Sequence, residues 1–335
     1  MHGVVASGVS PATALQVGLK VDVDALPGAV LQGIASGDVD LDDPATTVTL
    51  LALNAVVGLK GTVDTVGVDS LTRLGITCAL CHSTVDDSFA PSVGHRLDGW
   101  PNRDLNVGAI VALSPAVPAN LKTILESWGP GFYDPRINFD GIDAPIVIPP
   151  AYGLRHVDLE TFTGDGPVSY WNAYVAVTQM HGQGSFIDSE LGISLTRSPD
   201  LVTPKLDALR EYQFSLEAPT APAGSYDAAA AERGRAVFDE SCAACHDPEK
   251  SFTDVNAAGI LHQPAETGMD PTYAGRTKTQ RYCTTPLRGA WQHPSYFHDG
   301  SAASLEAVVE HYDTTLSLGL SAALKADLAN YLKSL

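Results

Sequence analysis

Five cysteines stand in the 335 residues, and four of them fall into two C-x-x-C-H arrangements, Cys78-Ala-Leu-Cys81-His82 and Cys242-Ala-Ala-Cys245-His246. Two thiols three positions apart, followed at once by an imidazole, match c-type haem attachment. The sulfurs become thioethers to the porphyrin vinyl groups and the histidine meets the iron. Two other chemistries use part of the pattern. A dithiol redox pair has the same thiol spacing without needing the histidine, and a zinc site could draw Cys and His from both copies. The copies begin at positions 78 and 242, however, whereas zinc-ligand pairs usually lie within a few tens of residues. The sequence therefore predicts two covalently bound haem c groups. Cys78, Cys81 and His82 would hold one, and Cys242, Cys245 and His246 the other. Thioether attachment occurs outside the cytoplasm, so a periplasmic or extracellular protein is expected. Its signal peptide would already be cleaved, because residues 1–15 lack a basic segment followed by a long apolar run. Cys283 is expected to be a free, semi-buried thiol.

Helices carry most of the pattern that would position these groups. Asp227 is placed to cap AAAAERGRAVFDES, a helix that delivers Cys242 just after its end, and Ser321 to cap AALKADLANYLKSL, where Leu324, Leu328, Leu332 and Leu335 recur at helical spacing. Further helices are expected after Pro44 (ATTVTLLALNAVVGL), over Tyr170 to Met180, and after Thr203-Pro204. Strand patterns are sparse. The predicted fold is mainly α: two cytochrome c-like haem domains with long loops, plus an N-terminal helical extension. The expected divisions are an acidic extension over 1–70, a first haem domain over 71–216, a Pro/Ala/Gly linker over 217–226 and a second haem domain over 227–335.

Lys and Arg number 20 against 39 Asp and Glu, giving a net charge of −19. That balance argues against nucleic acid, whose binding rests on cationic side chains neutralising phosphates, and against anionic membrane surfaces. No segment reaches the ~20 apolar residues of a transmembrane helix. The expected partner is a redox protein with a basic surface, such as a small cytochrome; the sequence leaves a homo-oligomer open.

Tyr282 to Tyr312, YCTTPLRGAWQHPSYFHDGSAASLEAVVEHY, and more weakly Gly94 to Asn106, GHRLDGWPNRDLN, resemble segments of the bacterial di-haem cytochrome c peroxidase superfamily, which includes MauG-like enzymes. The resemblance covers most of the chain from residue 71 onward. It implies two α-helical haem domains, peroxide reduction at the N-terminal haem, and a calcium ion between the halves. By the same resemblance, His95 matches the distal ligand of the first haem, which must move before peroxide binds. Asn106 matches a calcium ligand, with Thr284 and Pro286 supplying carbonyls. Tyr312 falls where a distal ligand of the second haem stands, a tyrosine in the MauG-like branch. Two departures matter. Gln179, in Gln179-Met180-His181-Gly182, occupies the position of the catalytic glutamate and cannot shuttle a proton, leaving the acid–base role to His181. The family's inter-haem tryptophan is missing from Phe162-Thr163-Gly164-Asp165-Gly166, with Trp171, Trp291 or Trp100 as replacements.

On the residues alone, His95 sits in a Gly-bounded loop able to fold back over the first iron, with His181 and Met180 as rivals. For the second iron the choice lies among Tyr312, Met269 and His311; a methionine would raise the haem potential relative to a bis-histidine or phenolate site. The leading expectation is a peroxidase-like di-haem oxidoreductase; the alternatives are a non-catalytic electron-transfer cytochrome, alone or as a unit of a larger conducting assembly, and a MauG-like oxidant of a partner protein.

Overall fold

The computed structural model describes residues 8–63, 71–255 and 260–335. The chain forms two compact units, one of residues 1–134 with 148–151 and the other of residues 135–147 with 152–335.

In the first unit, short strands hold the chain where the sequence pattern pointed to helices and loops. β1 (Val21–Asp22) pairs in parallel with β5 (Val93–Gly94). The helix expected after Pro44 forms as α1 (Pro44–Ala52), with Pro44 in its first turn and Asp43 accepting from Ala45 N. It stops early because Asn54 adopts a left-handed φ of 58°, and the apolar run continues as β2 (Leu59–Val63). β2 pairs antiparallel with β3 (Leu71–Ile76). The expected division at residue 70 therefore cuts a hairpin, whose connection lies outside the described residues. Val21, Val23, Leu26, Leu50, Leu51, Val56, Leu71 and Val93 bury together, so the N-terminal segment is part of this unit's core. The Cys78 motif follows as α2 (Ala79–His82), then β4 (Ser83–Val85), which pairs antiparallel with β6 (Arg96–Asp98). Asn106 caps α3 (Val107–Ala112) through Ala109 N.

The second unit is more helical. α4 (Val168–Tyr174) runs into a π-turn over Val175–Gln179, so Tyr170 to Met180 is helical as read from the sequence. Trp171, Tyr174 and Val177 bury against Phe186 and Ile193 of the hairpin β7 (Ser185–Asp188) and β8 (Ile193–Thr196). α5 (Leu206–Ser215) follows a single 3-10 turn at Thr203–Lys205. The expected linker 217–226 does not divide the chain. Leu216 O accepts from Gly153 N at 2.8 Å, and Pro219 O accepts the Trp291 indole N–H at 3.2 Å, tying the segment into this unit. The division falls instead after Asp134.

α6 (Ala228–Ser241) and α8 (Ala322–Ser334) begin at Asp227 and Ser321, the two caps read from the sequence. They pack against each other, and Phe238 and Tyr331 meet at 5.1 Å between ring centroids. The crossing is close enough that a Cβ on Gly234 would lie 2.0 Å from the Asp327 carbonyl oxygen. Arg233 grips the Asp327 carboxylate with two hydrogen bonds beside it. α7 (Leu305–Thr315) adds Leu305 and Val309 to the same core. The fold is thus a helix-rich mixture with two-stranded sheets. No described helix is long and apolar enough to cross a membrane.

Candidate functional site

In the first unit the β2–β3 hairpin delivers Cys78, with Thr77 N donating to Gly58 O at 2.8 Å. Gly58 has a φ of +79°, and a Cβ there would lie 2.2 Å from the Leu80 backbone. Only glycine allows the motif to fold down at this point. The one-turn α2 closes with His82 N donating to Cys78 O, and neighbouring backbone takes up the outward carbonyls: Asn102 N donates to Cys81 O and Gly99 N to His82 O. The His82 ring then points Nδ1 at Pro149 O, 3.0 Å away. A carbonyl has no proton, so Nδ1 carries the hydrogen and Nε2 presents its lone pair. Segment 148–151 is held for this by Ile148 N to Gly131 O and Ala151 N to Gly99 O. Burial lowers the His82 pKa, against the pull of that carbonyl, and pushes the Cys81 thiol up to about 12, with Cys78 adding to it. Cys81 packs among Leu80, Leu105 and Ile148.

The second unit reaches the same arrangement by a different route. Cys242 ends α6, and its carbonyl accepts from both Cys245 N and His246 N. His246 Nδ1 donates to Phe252 O at 2.9 Å, again leaving Nε2 as the open nitrogen. The turn that aims this carbonyl contains two successive left-handed residues, Ser251 at φ 59° and Phe252 at φ 61°. Asp247 O accepts from Lys250 N and Phe252 N, and the Asp247 side chain accepts from Glu249 N. Burial, with Cys245 beside it, pushes the Cys242 thiol up to about 11. No disulfide joins any of the five cysteines.

Tyr312 shares the second site. Its phenol is pushed up to about 12, first by burial and then by Cys242 and Cys245. Phe297 and His311 pack edge-on against its ring. The other two candidates for this position are engaged elsewhere. Met269 packs on Ile146, Tyr273, Ala274 and Tyr282, and His311 Nε2 donates to Thr267 O at 2.8 Å.

The remaining expected site residues are drawn into local structure. His95, read as the distal ligand of the first haem, has a side chain 57% exposed and Nδ1 3.0 Å from Asp24 Oδ2. Asp24 holds its imidazole above the ordinary pKa. His95 therefore belongs to a surface ion pair in this structure, because β5 and the adjacent turn carry it toward Asp24. Gln179 donates its amide to Pro135 O at 2.9 Å, anchoring the π-turn. His181 is exposed, with a left-handed φ of 55°. Of the residues expected to bind calcium, Asn106 accepts from Ala109 N and Thr284 O accepts the Thr253 hydroxyl; Pro286 lies two residues on. Cys283 is a free thiol as expected, donating to Thr161 O at 2.7 Å, with burial raising its pKa.

Sequence reasoning missed three side chains beside the second motif. His262 Nε2 lies 2.9 Å from Asp254 Oδ2, and its Nδ1 lies 3.2 Å from Glu266 Oε2. The donor atoms of Cys245, Asp254 and His262 all fall within 4.8 Å of one another. The spacing of a Cys, an Asp and a His within eighteen positions was the signal available in the sequence.

No protein-family model and no curated protein matches the chain. Among solved structures, Kuenenia stuttgartiensis hydrazine synthase pressurized with 20 bar xenon is similar to 57% of this chain over 73% of its own. The sequence identity is 21% and the TM-score 0.38. A likeness at that score carries neither fold nor chemistry to this chain.

Proposed function

We propose that this chain is a di-haem c-type cytochrome, with one haem c in each compact unit, that passes electrons to and from a partner protein. One observation carries the reading. At both motifs a C-x-x-C pair of free thiols precedes a histidine whose Nδ1–H is fixed on a backbone carbonyl. That hydrogen bond sets the tautomer and ring orientation a metal-ligating histidine needs. Neither ring's Nε2 has a hydrogen-bond partner among the described residues. Cys78, Cys81 and His82 would hold one haem, and Cys242, Cys245 and His246 the other. Each haem, when bound, would supply one-electron redox chemistry. The protein's part is to fix the proximal imidazoles, exclude water around Cys81 with Leu80, Leu105 and Ile148, and present an acidic exterior. Attachment chemistry of this kind would put the protein outside the cytoplasm. The net charge of −19 suits a basic partner, whose reaction with the protein should slow as salt rises.

Peroxide chemistry, implied by the sequence resemblance, is the second reading. Tyr312 favours it, because its phenol lies near enough to Cys242 and Cys245 for those thiols to raise its pKa. His95 and Gln179 weigh against reduction at the first haem, since one is paired with Asp24 and the other anchors a turn. Carbon monoxide and peroxide separate the two readings. An electron carrier binds no carbon monoxide when reduced and turns over no peroxide with any donor; turnover above free haem would overturn that reading in favour of the second. A denatured protein without haem absorbance would sink both.

A further inference from the structure

We infer that, before haem is attached, Cys245, Asp254 and His262 bind one divalent transition metal of the zinc class. Three features of the second unit carry this. The donor set is a thiolate, a carboxylate and an imidazole, the mixture that a borderline-soft ion such as Zn²⁺ takes, and three protein ligands leave a fourth position for water. The donors are already gathered. His262 Nε2 and Asp254 Oδ2 are 2.9 Å apart, and Cys245 Sγ completes a triad within 4.8 Å. Donors bound at ~2.0–2.3 Å around a tetrahedral ion sit roughly 3.3–3.8 Å apart, so a change of side-chain rotamer closes the site. Finally, the surroundings are those of a metal histidine. Glu266 Oε2 lies 3.2 Å from His262 Nδ1, which turns Nε2 toward the triad. Asp254 Oδ1 is buried without a hydrogen-bond partner, a costly arrangement for a carboxylate unless a cation faces it.

Among the described residues the first motif has no counterpart; Cys81 is packed among Leu80, Leu105 and Ile148. The inference rests on the di-haem reading in one respect. A thioether forms when a thiol adds across a vinyl double bond, sulfur to one carbon and its proton to the other. Cys245 held as a metal thiolate cannot make that addition. Metal occupancy would therefore hold back haem attachment at the second motif and leave the first untouched.

Cobalt(II) alone, titrated into the full-length haem-free chain, tests the site. The expected result is one ion per chain with a thiolate-to-cobalt charge-transfer band. The band should vanish in Cys245→Ser and His262→Ala and persist in Cys78→Ser and Cys242→Ser. Glu266→Gln, a conservative change at a half-exposed side chain, guards against a variant that fails to fold; affinity should drop about 10–100-fold. Absence of the band, its survival in His262→Ala, or its loss in Cys242→Ser would overturn the inference. The haem content of matured protein is measured in parallel. Two haems with no cobalt binding by the haem-free chain would sink the metal site alone, whereas cobalt binding by a chain that never takes up haem would sink the di-haem reading alone.

Discussion

The two C-x-x-C-H motifs end in the same hydrogen bond but close it over very different lengths of chain. His82 reaches Pro149, 67 residues away, while His246 reaches Phe252, only 6 away. Loop closure grows as the logarithm of length, so the first costs about 2 kcal/mol more in chain entropy than the second. The apolar surround at the first site offsets that extra cost, while the two left-handed residues in the second site's tight turn carry a backbone cost of their own. One site is completed by a whole folded unit and the other largely by its own next turn. The same contrast explains the chemistry around the thiols. A site assembled by long-range packing leaves Cys81 half-buried among apolar side chains, whereas a local turn leaves Cys245 exposed beside Asp254 and Glu266.

On the di-haem proposal, the largest expected effect is loss of a cofactor. Cys78→Ala with Cys81→Ala should remove one covalent haem and leave the second, and Cys242→Ala with Cys245→Ala the reverse, read by intact mass and haem absorbance after denaturation. Next is Gly58→Ala, which sets a Cβ against the Leu80 backbone at a left-handed φ. It should cost about 2–4 kcal/mol, measured by urea unfolding, and impair haem uptake at the first motif only. A smaller effect lies in the pH dependence of the haem-free chain. Thiols ordinarily at 9.0 are raised to about 12 at Cys81 and about 11 at Cys242. Folded thiols then stay protonated while unfolded ones ionise. The stability they contribute is intact below pH 9 and falls as pH rises, to about 11 at the second motif and about 12 at the first. The slope should be about 1 kcal/mol per pH unit for each thiol. Alkaline unfolding of Cys81→Ala and Cys242→Ala checks it, and haem-loaded protein should lack this window because thioethers do not titrate. The smallest expected change is Tyr312→Phe. It should shift stability by less than ~1 kcal/mol yet alter the spectrum of the second haem alone.

How much of this was legible in the sequence follows from what each feature is made of. Side-chain signals read through well: the caps Asp227 and Ser321, and the breaker-free helix over α4. Backbone partners did not. Pro149 and Phe252 act through carbonyls, which every residue has, so nothing in the sequence singles them out. Two-residue strands such as β1 and β5 are too short to show a period. The division after Asp134 has no change of composition to mark it, while the Pro-rich stretch that did look like a linker is held down by Trp291 and Gly153. His95 was misleading for a related reason: its loop has the right residues, but Asp24, 71 positions earlier, takes the ring.

Gly234 carries a further consequence. Its missing side chain is the space through which the Asp327 carbonyl passes, so every possible replacement, alanine included, must wedge apart the two helices that frame the second site. A saturation library at this position should return one survivor. Glu232 and Arg235, a short step away on the exposed side of the same helix, should tolerate nearly the full alphabet.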